Sequence, residues 1–221
     1  MVRGSGEDTL VHLLHTGHYD RCDFLCARFE YEIHAVGITR EGRWYYLPEC
    51  DADAIESGAW ESRNDLVPAL LPPDRSIHGL VLLREGETEF VRLDCVFPVL
   101  HGVGGEDGTV QGLLELAGIP YVGCGVLASA VSMDKLSTKR MVSGLGICQA
   151  AYVSVMKAEL KDMDAVIAKI EKEIPYPVFV KPSNAGSSRG VTRADNREEL
   201  ITGLREAADN DRRILVEEMI V

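Results

Sequence analysis

From residue 29 onward the apolar positions of this chain follow strand and helix periods in turn, and each stretch predicts an element. EIHAVGIT at 32–39 has the apolar density of a strand, and a turn at 40–42 leads to a second, RWYYLP. LVPALL (66–71) reads as a short buried strand. GLVLL and EFVRL flank residues 84–87, whose Glu-Gly-Glu centre suits a hairpin turn. DCVFPVL (94–100) is apolar throughout, as a central parallel strand is. Val110, Leu113, Leu114 and Ala117 form one helical face over 109–117, and Gly118 ends it. A short strand at 121–123, a helix at 126–131 and a helix from Asp134 to about 144–146 come next. AYVSVMK is a strand, 162–174 a helix, PVFVKP (177–182) a buried strand and GVTRA an edge strand. Residues 196–208 form a helix with Asn196 as N-cap, and RRILVEEMIV closes on a strand pattern.

Two segments break this order. Residues 1–28 hold His12, His15, His18, Cys22 and Cys26 with no clean period, and we read them as a divergent or disordered segment. His-x-x-His-x-x-His followed by Cys-x-x-x-Cys offers zinc ligands, but structural zinc sites usually pair ligands on turns with a distant second pair. The last residues, Met219, Ile220 and Val221, are apolar with no polar tail, and the sequence reads as cut within a domain.

Composition narrows the class. Hydrophobic and charged contents of 46% and 26% are those of a globular protein. A net charge of −12 argues against nucleic acid and against an anionic membrane surface as partners. No apolar run reaches the roughly 18 residues of a spanning helix and no signal peptide opens the chain, so a cytoplasmic location is expected. The six scattered cysteines fit reduced thiols.

Chemistry-bearing residues fall in three places. The apolar strand at 94–100 runs into His101, four glycines, Glu106 and Asp107 before the 109–117 helix. Open α/β sheets bind small ligands at such strand ends, where helix N-termini converge. A second loop follows Lys181: Gly186 and Gly190 let backbone amides approach an anion, and Ser187 and Ser188 add hydroxyls. It lacks the G-x-x-x-x-G-K-[ST] order of a Walker loop, and alone it would read as an ordinary turn. Lys135, at a helix start, is disfavoured there by a few tenths of a kcal/mol unless an anion faces it. Glu217 and Glu218, at a strand edge, suit an adenine amino group.

Together VFPVLHGVGGEDGTVQGLLELAGIPYVGCGVLASAVSMDK, VFVKPSNAGSSRGVT and RILVEE resemble the D-alanine–D-alanine ligases of the ATP-grasp superfamily, over about residues 29–221. The wording EGRWYY and ELAGIPYVGC is similar to the D-alanine–D-serine ligases of glycopeptide resistance. The resemblance implies an α/β protein: an open, mainly parallel substrate domain at 29–132, then the first half of an ATP-grasp α+β domain at 133–221. It implies that Lys135 and Lys181 hold ATP phosphates and that Ser187, with Glu106, closes the flap that Ser188 shares. His101 would sit near the first D-alanine's carboxylate. Glu217 would accept from the adenine amine, with Glu218, Met219 and Ile220 lining the base pocket. Glu7 falls where the family's ammonium-binding glutamate is expected, although no strand is read before it.

The implied reaction activates D-alanine's carboxylate with ATP and Mg²⁺ as an acyl phosphate, which D-alanine or D-serine then attacks, for peptidoglycan synthesis. The Mg²⁺ ligands are expected beyond residue 221, so the chain alone is expected to lack turnover and to bind ATP weakly. Complete relatives are homodimers, and a non-catalytic nucleotide-binding remnant is the alternative. Another ATP-grasp ligase is disfavoured by the HGxxGEDG loop.

Overall fold

The computed structural model describes residues 8–15, 31–49 and 52–220. The chain divides into two compact units, residues 1–126 and 127–221. Glu7, His18, Cys22 and Cys26 lie outside the described residues.

The first unit is built on a seven-stranded sheet. Its strands are β1 (Asp8–His15), β2 (Tyr31–Ile38), β3 (Trp44–Leu47), β4 (Val67–Leu70), β5 (Gly79–Arg84), β6 (Glu87–Arg92) and β7 (Cys95–Val99), in the order β6-β5-β4-β3-β2-β1-β7. Helix α1 (Ala52–Ser57) and a 3-10 turn (Ala59–Ser62) link β3 to β4, and α2 (Thr109–Ala117) follows β7. Two expectations are corrected here. Residues 8–15 are a strand next to the β7 edge of the sheet, parallel to both β2 and β7, rather than part of a divergent or disordered segment. Its sequence, DTLVHLLH, sets His12 and His15 among apolar residues without a period of two, so no strand pattern marks it. Parallel pairing is also narrower than expected: only β2-β1-β7 is parallel, and the pairs from β2 out to β6 are antiparallel. The hairpin connections β2–β3 and β5–β6 are too short for a parallel crossover.

Leu80, Leu93, Val96 and Leu114 are fully enclosed in the main core of this unit. A smaller core forms around Trp60, which is buried beneath Ala35 and Leu47. Gly37 on β2 makes room for that indole, since a Cβ there would lie 2.4 Å from a ring carbon. The strand expected at 121–123 reduces to one bridge between Val96 and Tyr121.

Helices α3 (Val126–Met133) and α4 (Lys135–Val142) lead into the second unit. Its antiparallel sheet contains β8 (Tyr152–Met156), β9 (Val178–Pro182), β10 (Thr192–Ala194) and β11 (Arg213–Glu218), in the order β10-β9-β11-β8. Helices α5 (Met163–Glu173) and α6 (Arg197–Asn210) bury Val166, Ile167, Ile170, Leu200 and Leu204 against Val153, Val155, Val178, Val180, Ile214 and Val216. Asn196 caps α6 by accepting from the Glu199 amide at 3.1 Å. Strand alternation turns Tyr152, Phe179, Lys181, Leu215 and Glu217 to the face away from these helices. That face carries the candidate chemistry.

Candidate functional site

In the first unit, the end of β7 delivers the loop of His101 and Glu106. The Glu106 carboxylate accepts from the Gly102 amide at 2.6 Å, and its other oxygen lies 4.0 Å from His101 Nδ1. Both side chains stay about half exposed, within reach of a small solute. Asp107 braces the loop from inside, accepting from the amides of Gly104 at 2.9 Å and Thr109 at 3.0 Å. Burial disfavours its charge, but these donors outweigh that and hold its carboxyl below the usual range. Gly108 is the residue that caps α2, with φ 90°, so Asp107 supports the helix start from one position earlier. Gly105 passes so close to Leu100 that a Cβ would sit 2.4 Å from it. A glycine-rich, carboxylate-braced turn thus presents one imidazole and one carboxylate.

In the second unit, Asp134 builds the start of α4. Its carboxylate, 3% exposed, accepts from the Ser137 amide at 2.7 Å, from Ser183 Oγ at 2.8 Å and from Arg213. Backbone bonds complete the junction, from the Lys135 amide to Ser183 O and from the Ser183 amide to Arg213 O, each 2.9 Å. Burial opposes ionisation of Asp134, but the Ser137 and Ser183 donors and the Arg213 charge prevail, holding it ionised below its ordinary range. This cluster fixes where Lys135 leaves the helix.

Two lysines then meet one carboxylate, and a third stands close by. Lys181 on β9 donates to Glu217 Oε2 and Lys139 on α4 to Glu217 Oε1, each at 2.6 Å. Lys181 pairs with Leu215, so Glu217 is its diagonal neighbour on the same sheet face. Glu217 is held below the glutamate range: burial works against its charge, but hydrogen bonds from Lys139 and Lys181 exceed that effect. Lys135 Nζ donates to Ala185 O at 2.5 Å. Burial and the nearby Lys181 charge push the Lys135 ammonium down, partly opposed by Asp134 and Asp211. In a chain of net charge −12, this concentration of ammonium groups around one acid favours an anionic ligand.

The Ala185 carbonyl belongs to the flap between β9 and β10. Ser187 and Ser188 both lie in the left-handed region, at φ 49° and 57°, with Gly190 at 66°. For non-glycine residues this costs about 1 kcal/mol or more each, the kind of strain that accumulates at ligand-closing segments. Both serines are exposed. Beyond Glu217, the Glu218 carboxylate accepts from the Ala151 amide at 2.7 Å, and the Met219 amide donates to Pro177 O at 3.2 Å. Ile220 is exposed.

The structure therefore joins Lys135, Lys181 and Glu217 through direct or neighbouring contacts, and presents Ser187 and Ser188 on the flap that Lys135 grips. His101 and Glu106 meet in the first unit. Sequence reasoning missed Lys139 and the Asp134–Ser183–Arg213 junction. One signal was available for Lys139: it stands four residues after Lys135, and like charges at that spacing disfavour a helix unless an acid faces them. Among the described residues, no group of three or more His, Cys, Asp or Glu side chains is placed to hold a metal ion. The Mg²⁺ that the resemblance implies thus has no such ligand set there. Three lysines, a flap and an acid near a strand's end have the chemistry to meet a nucleotide's phosphates and base.

Element order and fold together are those of the ATP-grasp carboxylate–amine ligases, a mixed α/β class. Two family models match the chain: D-ala D-ala ligase N-terminus over residues 19–124 and D-ala D-ala ligase C-terminus over residues 141–221. The chain belongs to the D-alanine–D-alanine ligase family, whose members are ATP-dependent ligases. A D-alanine–D-alanine ligase from Thermoanaerobacter sp. (strain X514) is 47% identical over 188 residues, which is 85% of this chain and 51% of that protein. One from Caldicellulosiruptor bescii is 46% identical over 192 residues, covering 86% and 52%. The crystal structure of the VanG D-Ala:D-Ser ligase from Enterococcus faecalis superposes with a TM-score of 0.85 at 32% identity, covering 98% of this chain and 64% of that one. The chain spans about half the length of the curated relatives it matches. No helix among the described residues is long and apolar enough to cross a membrane.

Proposed function

We propose that this chain carries the first-substrate loop and the ATP-holding half of a D-alanine–D-alanine (or D-alanine–D-serine) ligase serving peptidoglycan synthesis. The observation that carries the reading is the Lys139–Glu217–Lys181 cluster beside Lys135 and its strained flap, on the face of the second sheet opposite α5 and α6. Lys135 and Lys181 are the residues to hold the nucleotide's phosphates, and Glu217 the acceptor for the base amine. When bound, ATP supplies the phosphoryl group that activates a carboxylate. The protein's own part is positioning and charge neutralisation: ammonium groups set in place by the Asp134 junction, and a serine-bearing flap that excludes water. Both lysines already sit on acceptors, Ala185 O and Glu217, so phosphate oxygens replace protein oxygens rather than bulk water around them. His101, with Glu106 beside it, is the group for the carboxylate of D-alanine. Homodimerisation through the first unit belongs to the same reading.

Saturation-transfer NMR with ATP tests the nucleotide half, using the wild-type chain and Lys181→Met. The expected result is ATP saturation in the wild type and at least a fivefold weaker titration in the variant, because a charge-assisted contact to phosphate is lost. Equal titrations would refute the assignment. ATP binding with no response to D-alanine at His101 would favour a remnant that binds nucleotide alone.

A further inference from the structure

Glu217 is shared by two lysines, and a phosphate-binding role can take only one of them away. Lys181 is the looser partner: its side chain is 26% exposed, and apart from Glu217 its Nζ contacts the Phe179 ring at 5.5 Å. Lys139 is more enclosed, at 13%. Its ammonium also donates to Ala150 O at 3.2 Å and lies 4.9 Å from the centre of the Tyr152 ring. Backbone and side chain lock its helix end as well, since Gln149 Nε2 donates to Lys139 O at 3.2 Å. Pulling Lys139 away would leave an enclosed ammonium without its acceptors.

We propose that Lys139 is the positioning residue of base recognition: it keeps Glu217 anionic and fixed through Oε1, so that Oε2 faces the base amine once Lys181 turns to the phosphates. The inference rests on the nucleotide reading above and deepens it. A fixed anionic oxygen accepts from the exocyclic amine of adenine and repels the carbonyl that replaces this amine in hypoxanthine. Without Lys139, Glu217 has Lys181 as its remaining cation. The acid then swings toward that lysine, and recognition of the amine and release of Lys181 fail together. The first effect falls on the base preference, which a merely structural residue would leave intact, while the second weakens both nucleotides alike.

The experiment compares ATP and inosine triphosphate titrations, read by saturation-transfer NMR, for the wild type, Lys139→Gln and Lys139→Arg, with amide spectra checking that each variant folds. The wild type is expected to prefer ATP by about five- to tenfold, the worth of one hydrogen bond to a charged acceptor. Lys139→Gln should bring the two nucleotides within about twofold, and Lys139→Arg, which keeps the charge, should restore most of the preference. A Lys139→Gln protein that folds and keeps the wild-type preference overturns the proposal while leaving the nucleotide reading intact. A wild type that binds neither nucleotide overturns both. Should Lys139→Gln not fold, lysine side-chain ¹³C resonances of the wild type decide. ATP is expected to move Lys181 off its carboxylate partner and leave Lys139 on its own, and the reverse order overturns the assignment.

Discussion

Replacing Asp134 by alanine removes the acceptor on which the start of α4 is built. The N-cap bond to the Ser137 amide is lost, at about 1 kcal/mol. Ser183, with no exposed surface, loses the acceptor for its hydroxyl, at about 1–2 kcal/mol. The Arg213 contact adds little, because its guanidinium is 30% exposed and solvent screens it. The total is about 2–3 kcal/mol, or roughly a 30- to 140-fold rise in local opening. Amide hydrogen exchange at Leu136 and Ser183 reads this directly, since their amides bond to Ser183 Oγ and Arg213 O across the junction. The pH dependence has a definite sign. The folded-state pKa of Asp134 lies below its ordinary 3.8, so its stabilisation is complete at neutral pH and is lost as pH falls through the depressed folded value. The gap between wild type and Asp134→Ala should hold at pH 7 and close only below about pH 4. Exchange at these amides within threefold of wild type, or a gap equal at pH 7 and pH 3, would refute the account of the junction.

Other substitutions probe the packing that supports the site. Gly203→Ala places a Cβ 2.4 Å from Thr192 Oγ1 and 3.2 Å from Val180, so despite the better helix former it should destabilise by about 1–2 kcal/mol. Urea unfolding measures it, and adding Thr192→Ala should recover most of the loss. Gly37→Ala drives a methyl into the Trp60 ring, and a lower Tm with red-shifted tryptophan emission is expected, by about 2 kcal/mol of overpacking. Asn196→Ala removes the α6 cap and should cost about 1 kcal/mol by thermal denaturation followed by circular dichroism, with no change in ATP titration.

The elements that alternate or turn sharply were legible in the sequence. The Glu-Gly-Glu centre does join β5 to β6 as a hairpin, and the periodic residues of α2 end at Gly118 as expected. Residues 8–15 were not legible, because His12 and His15 interrupt their apolar run and no period of two marks a strand there. Pairing direction in β3–β6 depends on loop length and register, which apolar density does not encode. Lys135, Lys181 and the serines could be read because the motifs around them are local. The Asp134–Arg213 contact spans 79 residues and exists only once β9 and β11 pair, so nothing local announces it. Lys139 lies between these cases: its spacing from Lys135 was visible, but the acid that answers it stands on β11.

The proposed function gives this chain one binding element for nucleotide and another for D-alanine. Amide chemical-shift mapping of the wild-type chain, titrated with each ligand alone, tests it most directly. ATP should move residues 135, 139, 181–190 and 217–220, and D-alanine should move residues 101–107. Shifts from ATP that avoid Lys135, Lys181 and Glu217, or D-alanine shifts that leave His101 and Glu106 unmoved, would contradict it.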